Sequence, residues 1–132
     1  MAKTNPLDAA SGAAKMLIHD VLQQSLEWFA IRLCLPTASE FKRIITSTGK
    51  PSESAGLYAC ELAAELYANK PLDQFDGTTY MNCGIELEPE ARRLYAFAND
   101  AEVRTVGFCT DDARTYGCSP DGMVGDDGLI EI

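Results

Sequence analysis

Apolar residues along the chain fall into blocks of two different periods. From Lys15 to Leu33, KMLIHDVLQQSLEWFAIRL, the positions Leu17, Ile18, Val21, Leu22, Leu26, Phe29 and Leu33 recur mostly at three- and four-residue intervals. That spacing predicts one or two helices with a buried stripe. Pro36 closes the block. TASE follows, with Thr37 at a cap position and Glu40 three residues on. This capping box predicts a short helix carrying Phe41, Ile44 and Ile45 and ending near Gly49. The polar stretch STGKPSESAG predicts an exposed loop. ESAGLYACELAAELYANK predicts a further helix with Leu57, Cys60, Ala64 and Tyr67 on one face, broken by PLDQFDG. TTYMNCGIELEPEARRLYAFAND then predicts a long helix with Pro89 inside it, where the proline kinks or restarts it.

After Asp100 the period changes. EVRTVGFCT alternates, with Val103, Thr105 and Gly107 on one side and Arg104, Val106 and Phe108 on the other, which predicts a strand. ARTYGCSPDGMVGDDGLIEI predicts two more strands joined at Gly125–Gly128. Helices therefore precede a small, mixed or antiparallel sheet, an α+β layout within the broad α/β class. The small and polar residues 1–14 are expected to form a flexible arm, and residues 15–132 a single domain.

Composition removes several classes of function. No run of eighteen apolar residues occurs in the sequence, so no membrane helix is expected. The start lacks the long apolar core of a secretory signal. The five cysteines are irregularly spaced without a C-x-x-C pair, and His19 is the one histidine. Zinc is poorly supported, and reduced thiols in a cytoplasm are the plain reading. His19 itself, among apolar neighbours, is read as structural.

Charge is distributed unevenly. Residues 1–70 carry seven basic and seven acidic side chains, whereas residues 71–132 carry four and thirteen, so the whole net charge of -9 lies in the second half. A solvated acidic surface is the simple account. The sharper one is a group of carboxylates that takes divalent cations. Acidity excludes a protein that coats nucleic acid through bulk positive charge. It leaves open an enzyme whose metal ions screen its carboxylates from a phosphate backbone.

Two acids flank the final hairpin. With Asp126 and Asp127 at the turn, Asp121 and Glu131 become near-opposite or diagonal neighbours, with Cβ atoms within about 5–8 Å. One hard cation can bridge such a pair; without a cation or a proton the two repel. A slip of one residue would send Glu131 to the other face. In the long helix Glu86 and Glu90 share a face while Glu88 points roughly opposite.

S-P-D-G followed by an apolar-Glu-apolar strand resembles the PD-(D/E)XK nuclease core. The likeness extends further. EWFAIRLCLPTASEF resembles the first motif of the lambda-exonuclease type, the YqaJ-type viral recombinases. GIELEPEARRLY resembles their second motif and GCSPDGMVGDDGLIEI their third, in the family's order and covering Glu27 to the last residue. The resemblance implies a restriction-endonuclease-like core, Asp121 and Glu131 as metal-binding acids, and Glu88 as the helix carboxylate that completes a catalytic site. It implies that Arg32 and Ser39 grip the terminal phosphate of a DNA end. A guanidinium fork suits a phosphate, and a hydroxyl near a helix start suits an anion. It further implies Mg²⁺, with Mn²⁺ as a substitute, and 5′ to 3′ digestion of double-stranded DNA ends. A single-strand annealing protein is the implied partner, a homotrimer the implied assembly, and the cytoplasm of a host carrying a phage or prophage the implied location.

The chain departs from that pattern in three places. The family's E-x-K lysine would fall at position 133, past the last residue. Cys34 stands where glycine is usual, which is tolerated unless the backbone there needs φ > 0. Cys83 stands where a charged residue is more typical. The expectation is a fragment lacking that lysine and the later elements of the fold, weakly active or inactive. The alternatives are a non-catalytic module that binds DNA ends or a partner, and an endonuclease of the wider PD-(D/E)XK group. The absence of a four-cysteine pattern argues against that group's iron–sulfur type.

Overall fold

In the computed structural model, which describes residues 15–72 and 79–132, the segment expected to open the first helix is a strand. β1 (Met16–His19) pairs antiparallel with β3 (Phe108–Asp111), Met16 opposite Asp111 and His19 opposite Phe108. MLIH is a short apolar run, and such runs fit strand and helix equally well until a partner is known. The partner here lies some ninety residues on, where His19 Nε2 sits 3.1 Å from Thr110 Oγ1. The expected arm over residues 1–14 lies outside the described residues, as does the PLDQFDG break from residue 73 onward.

The helical part is otherwise α1 (Leu26–Arg32), a 3-10 turn (Ala38–Arg43), α2 (Ala55–Ala68) and α3 (Thr79–Asn99). Ser25 caps α1, accepting from the Trp28 amide at 3.2 Å. The TASE segment forms the 3-10 turn and not the expected capped α-helix. Thr37 makes no cap bond; its hydroxyl lies 3.3 Å from that of Ser39, and Glu40 turns to Arg43. Thr37 is itself buried and bridges Gly117, which ties the turn to the sheet.

α2 occupies its expected place but presents a different face. Leu57, Cys60, Ala64 and Tyr67 are exposed, and Tyr58 is the buried residue. The face toward the protein carries polar anchors. Glu61 receives a two-point bond from Arg43 at 2.6 and 2.9 Å, and Glu65 accepts from the Cys34 amide at 3.2 Å. Apolar periodicity could not select a face held by carboxylates. α3 is a long helix with Pro89 inside it, as expected, and it does not restart at the proline.

The expected strand EVRTVGFCT is divided between two sheets. β2 (Val103–Arg104) joins β5 (Gly122–Val124) and β6 (Gly128–Ile130), whereas β3 joins β1 and β4 (Gly117–Cys118). Every strand pair is antiparallel. After β2 the chain passes between the sheets twice, at Thr105–Gly107 and at Ser119–Asp121. At the first passage Gly107 has no room for a Cβ, which would run into the Val21 carbonyl. Gln23 secures both passages, donating to the Val106 carbonyl at 3.1 Å and to the Pro120 carbonyl at 3.2 Å. Phe108 and Met123 are fully buried, and Val106 and Cys109 pack with Met123 between the sheets. The last hairpin turns at Gly125 (φ +65°), as expected, with Gly122 opposite Ile130 and Val124 opposite Gly128. Among the described residues no helix is long and apolar enough to cross a membrane.

Candidate active site

Helix α1 builds one corner of the site. Trp28 and Arg32 are four residues apart and so share a face; the guanidinium carbon lies 3.9 Å from the centre of the indole and 5.5 Å from that of Phe108. Trp28 Nε1 donates to the Gly107 carbonyl at 3.0 Å and to Ser119 Oγ at 2.9 Å. Arg32 Nη1 donates to the same Ser119 oxygen at 3.1 Å. Ser119 Oγ thus accepts twice, which leaves its own proton to donate. Burial lowers the Arg32 pKa, yet a guanidinium remains charged throughout the physiological range. The ion pairs among the described residues are Arg43–Glu40, Arg43–Glu61 and Arg92–Glu88, and Arg32 is in none of them. A half-buried guanidinium that faces aromatic rings and a hydroxyl, without a carboxylate, is suited to an anion.

Ser39, expected beside Arg32, is exposed, and its hydroxyl pairs with Thr37 and not with Arg32 or Ser119. Ser119 supplies the hydroxyl beside the guanidinium.

The second corner is acidic. Glu88 is half-buried while Glu86 and Glu90 are exposed, so Glu88 does point apart from its neighbours. Its carboxylate lies 3.3 Å from Arg92 Nη1, one turn on. The same nitrogen donates to the Asp121 carbonyl at 3.1 Å. The β5–β6 register, carried one step past Gly122 and Ile130, brings Asp121 opposite Glu131. There the ladder becomes irregular. The Asp121 amide donates to the Ile130 carbonyl at 3.1 Å, and its carboxylate accepts from the Ile132 amide at 2.6 Å. Burial raises the Glu131 pKa, and the negative charges of Asp121 and Glu88 raise it further. Glu131 therefore lies within the fields of the other two acids.

These carboxylates supply hard oxygen donors of the type that Mg²⁺ and Mn²⁺ take, so the donor set fits a divalent cation. They are not drawn into a finished cage: among the described residues no three acidic, histidine or cysteine side chains converge closely enough to hold a metal as they stand. Glu88 and Asp121 line a cleft of about 690 Å³ together with Gln23, Arg92, Val106 and Gly107.

Trp28, Ser119, Gln23 and Arg92 were absent from the sequence reading of the site. Signals existed for two of them. Arg92 follows Glu88 by four residues, the favourable helical order for an ion pair, and Trp28 precedes Arg32 by four. Ser119 was visible only as part of a turn, and nothing local marks Gln23.

The sequence pattern of the YqaJ-like viral recombinase domain matches residues 27–132. The chain belongs to this family. Its fold is similar to that of an alkaline exonuclease, LHK-Exo, from Laribacter hongkongensis, with 36% identity and a TM-score of 0.65 over 81% of the chain. The structure of LHK-Exo in complex with dAMP aligns at 35% identity and a TM-score of 0.67, again over 81% of the chain. In both cases the YqaJ-like chain spans about half of the larger protein, 52% of its length. No curated protein matches the chain.

Proposed function

We propose that this chain carries the phosphate-gripping and metal-binding parts of a Mg²⁺-dependent deoxyribonuclease acting 5′ to 3′ on double-stranded DNA ends. One observation carries the reading: Ser119–Pro120–Asp121 sets the hydroxyl beside Arg32, which is in no ion pair among the described residues, two residues from an acid whose charge raises the Glu131 pKa. Membership of the YqaJ-like family and the similarity to an exonuclease that binds dAMP support it.

In this reading Arg32 and the Ser119 hydroxyl hold the terminal phosphate, with Trp28 fixing both. Asp121, Glu131 and Glu88 hold Mg²⁺, or Mn²⁺ in its place. The metal supplies a water of lowered pKa and neutralises charge on the oxygens of the bond being cut. Protein groups set orientation: the hairpin fixes Asp121, and α3 brings Glu88 to the cleft. Ser39, exposed as it stands, would join the grip through the DNA strand and not through Arg32. The family's trimeric assembly, its annealing-protein partner and a host cytoplasm belong to the same proposal.

The test is release of nucleotides from a 5′-phosphorylated duplex with Mg²⁺, with end binding followed by fluorescence anisotropy in Ca²⁺. Asp121→Ala is expected to lower release by at least about 100-fold and to retain end binding. Arg32→Ala is expected to weaken binding of the phosphorylated end more than of an unphosphorylated one. Release that survives Asp121→Ala, or binding indifferent to the phosphate, overturns the reading.

A second reading has its own observation. The Trp28–Arg32–Ser119 corner is fully assembled without any of the acids taking part. End binding that depends on Arg32, without release of nucleotides, would mark a non-catalytic DNA-end module. Internal fragments in place of mononucleotides would mark an endonuclease.

A further inference from the structure

Among the described residues Arg92 is the one basic residue lining the acidic cleft, and it stands between the Glu88 carboxylate and the backbone of Asp121. Its Nη1 is shared between the Glu88 carboxylate at 3.3 Å and the Asp121 carbonyl at 3.1 Å. One nitrogen therefore links α3 to the base of the β5–β6 hairpin. The link is loose. A good charge-assisted bond from nitrogen to carboxylate is about 2.7–2.9 Å, as in the Arg43–Glu61 pair at 2.6 and 2.9 Å. Glu88 meets a single nitrogen at a longer distance, so exchanging that partner costs little. Both side chains are mostly shielded from water, 18% and 22% exposed, where unlike charges attract more strongly than at the surface.

We propose that Arg92 is a positioning residue of the cleft: its guanidinium holds Glu88 beside the hairpin in the metal-free chain and releases it when a divalent cation binds. This rests on the metal-site reading above. Without that counter-charge Glu88 would be repelled by the other two acids, and α3 would lose this charged tie to the hairpin. A guanidinium in that place keeps Glu88 beside the base of the hairpin. Being positive, it also competes with the incoming metal and sets how much is needed. Arg92 thus trades metal affinity for a site that stays in register before the metal arrives.

The experiment compares the wild-type chain with Arg92→Gln and Arg92→Lys. Mn²⁺ binding is measured by calorimetry, and the thermal midpoint with and without Mg²⁺. The Gln variant keeps a donor for the Asp121 carbonyl and loses the charge. It is expected to bind Mn²⁺ about five- to tenfold more tightly, to melt lower without metal, and to gain more from sub-saturating Mg²⁺ than wild type. The Lys variant, charged but without the fork, is expected to bind Mn²⁺ within about twofold of wild type. A Gln variant that melts lower with unchanged Mn²⁺ affinity makes Arg92 a plain structural tie and overturns the proposal alone. Absence of Mn²⁺ binding in all three proteins overturns the metal-site reading and this proposal with it. A wild-type measurement covers a variant that fails to fold: the Arg92 guanidinium protons, followed by NMR through a Mg²⁺ titration, should lose their restricted rotation. Signals that do not change overturn the proposal.

Discussion

Two corners meet at Ser119–Pro120–Asp121, and they are finished to different degrees. The corner formed by Trp28, Arg32 and Ser119 is closed: an indole and a guanidinium converge on one hydroxyl oxygen, and the indole also holds the Gly107 carbonyl. The corner formed by Glu88, Asp121 and Glu131 is held open. Asp121 and Glu88 raise the proton affinity of Glu131, and the acids lean on Arg92 and the Ile132 amide. The difference is one of sign. Donors and neutral acceptors satisfy each other, so folding alone can lock them. Three like charges cannot be locked by folding without a cation.

The contrast is most easily broken at the closed corner. Trp28→Ala removes a half-buried ring and both of its hydrogen bonds, and should cost about 3 kcal/mol in urea unfolding. A loss below about 1 kcal/mol would mean that the corner is not what ties α1 to the sheets. Gly107→Ala forces a methyl group against the Val21 carbonyl and should cost about 2 kcal/mol; an unchanged midpoint would mean that this passage is slack. Cys34 lies at φ +64°, the left-handed region that the expected glycine would have occupied without strain. Cys34→Gly is therefore expected to gain about 0.5–1 kcal/mol, the relief of left-handed strain less glycine's greater freedom when unfolded. A net loss would assign the thiol a packing role that outweighs the strain.

The smallest effect tests the open corner. Burial and its acidic neighbours raise the Glu131 pKa above the ordinary 4.5. The folded chain therefore keeps this proton to higher pH than the unfolded chain does. Stability from this group is present in acid and is lost as pH rises from about 4.5 through the raised value. Metal-free Glu131→Gln should accordingly gain on wild type toward neutral pH, by a modest amount because Glu131 is solvent-exposed. Mg²⁺ should close that gap by stabilising wild type. A difference that stays flat with pH would uncouple Glu131 from Asp121 and Glu88.

Much of this arrangement could be read from the residues. The long helix through Pro89, the hairpin at Gly125 and the outlying direction of Glu88 each follow from local spacing. What escaped was non-local. β1 needs β3 to be a strand at all, and Trp28 finds its two acceptors seventy-nine and ninety-one residues away. The buried face of α2 was misjudged for another reason: Glu61 and Glu65 face inward because Arg43 and the Cys34 amide receive them, and hydropathy counts both as outward. Ser119 escaped as the other long-range contacts did, since it lies eighty-seven residues from Arg32.

Only Pro120 separates the residue that would hold a phosphate from one that would hold a metal. Two peptide links span at most about 7 Å between Cα atoms, and proline fixes one of the backbone angles between them. On the proposed function, the interval from the gripped end to the severed bond is measured by a covalent ruler three residues long. Breathing of the helices or the sheets can then alter how often the protein cuts, but it has little purchase on where the cut falls.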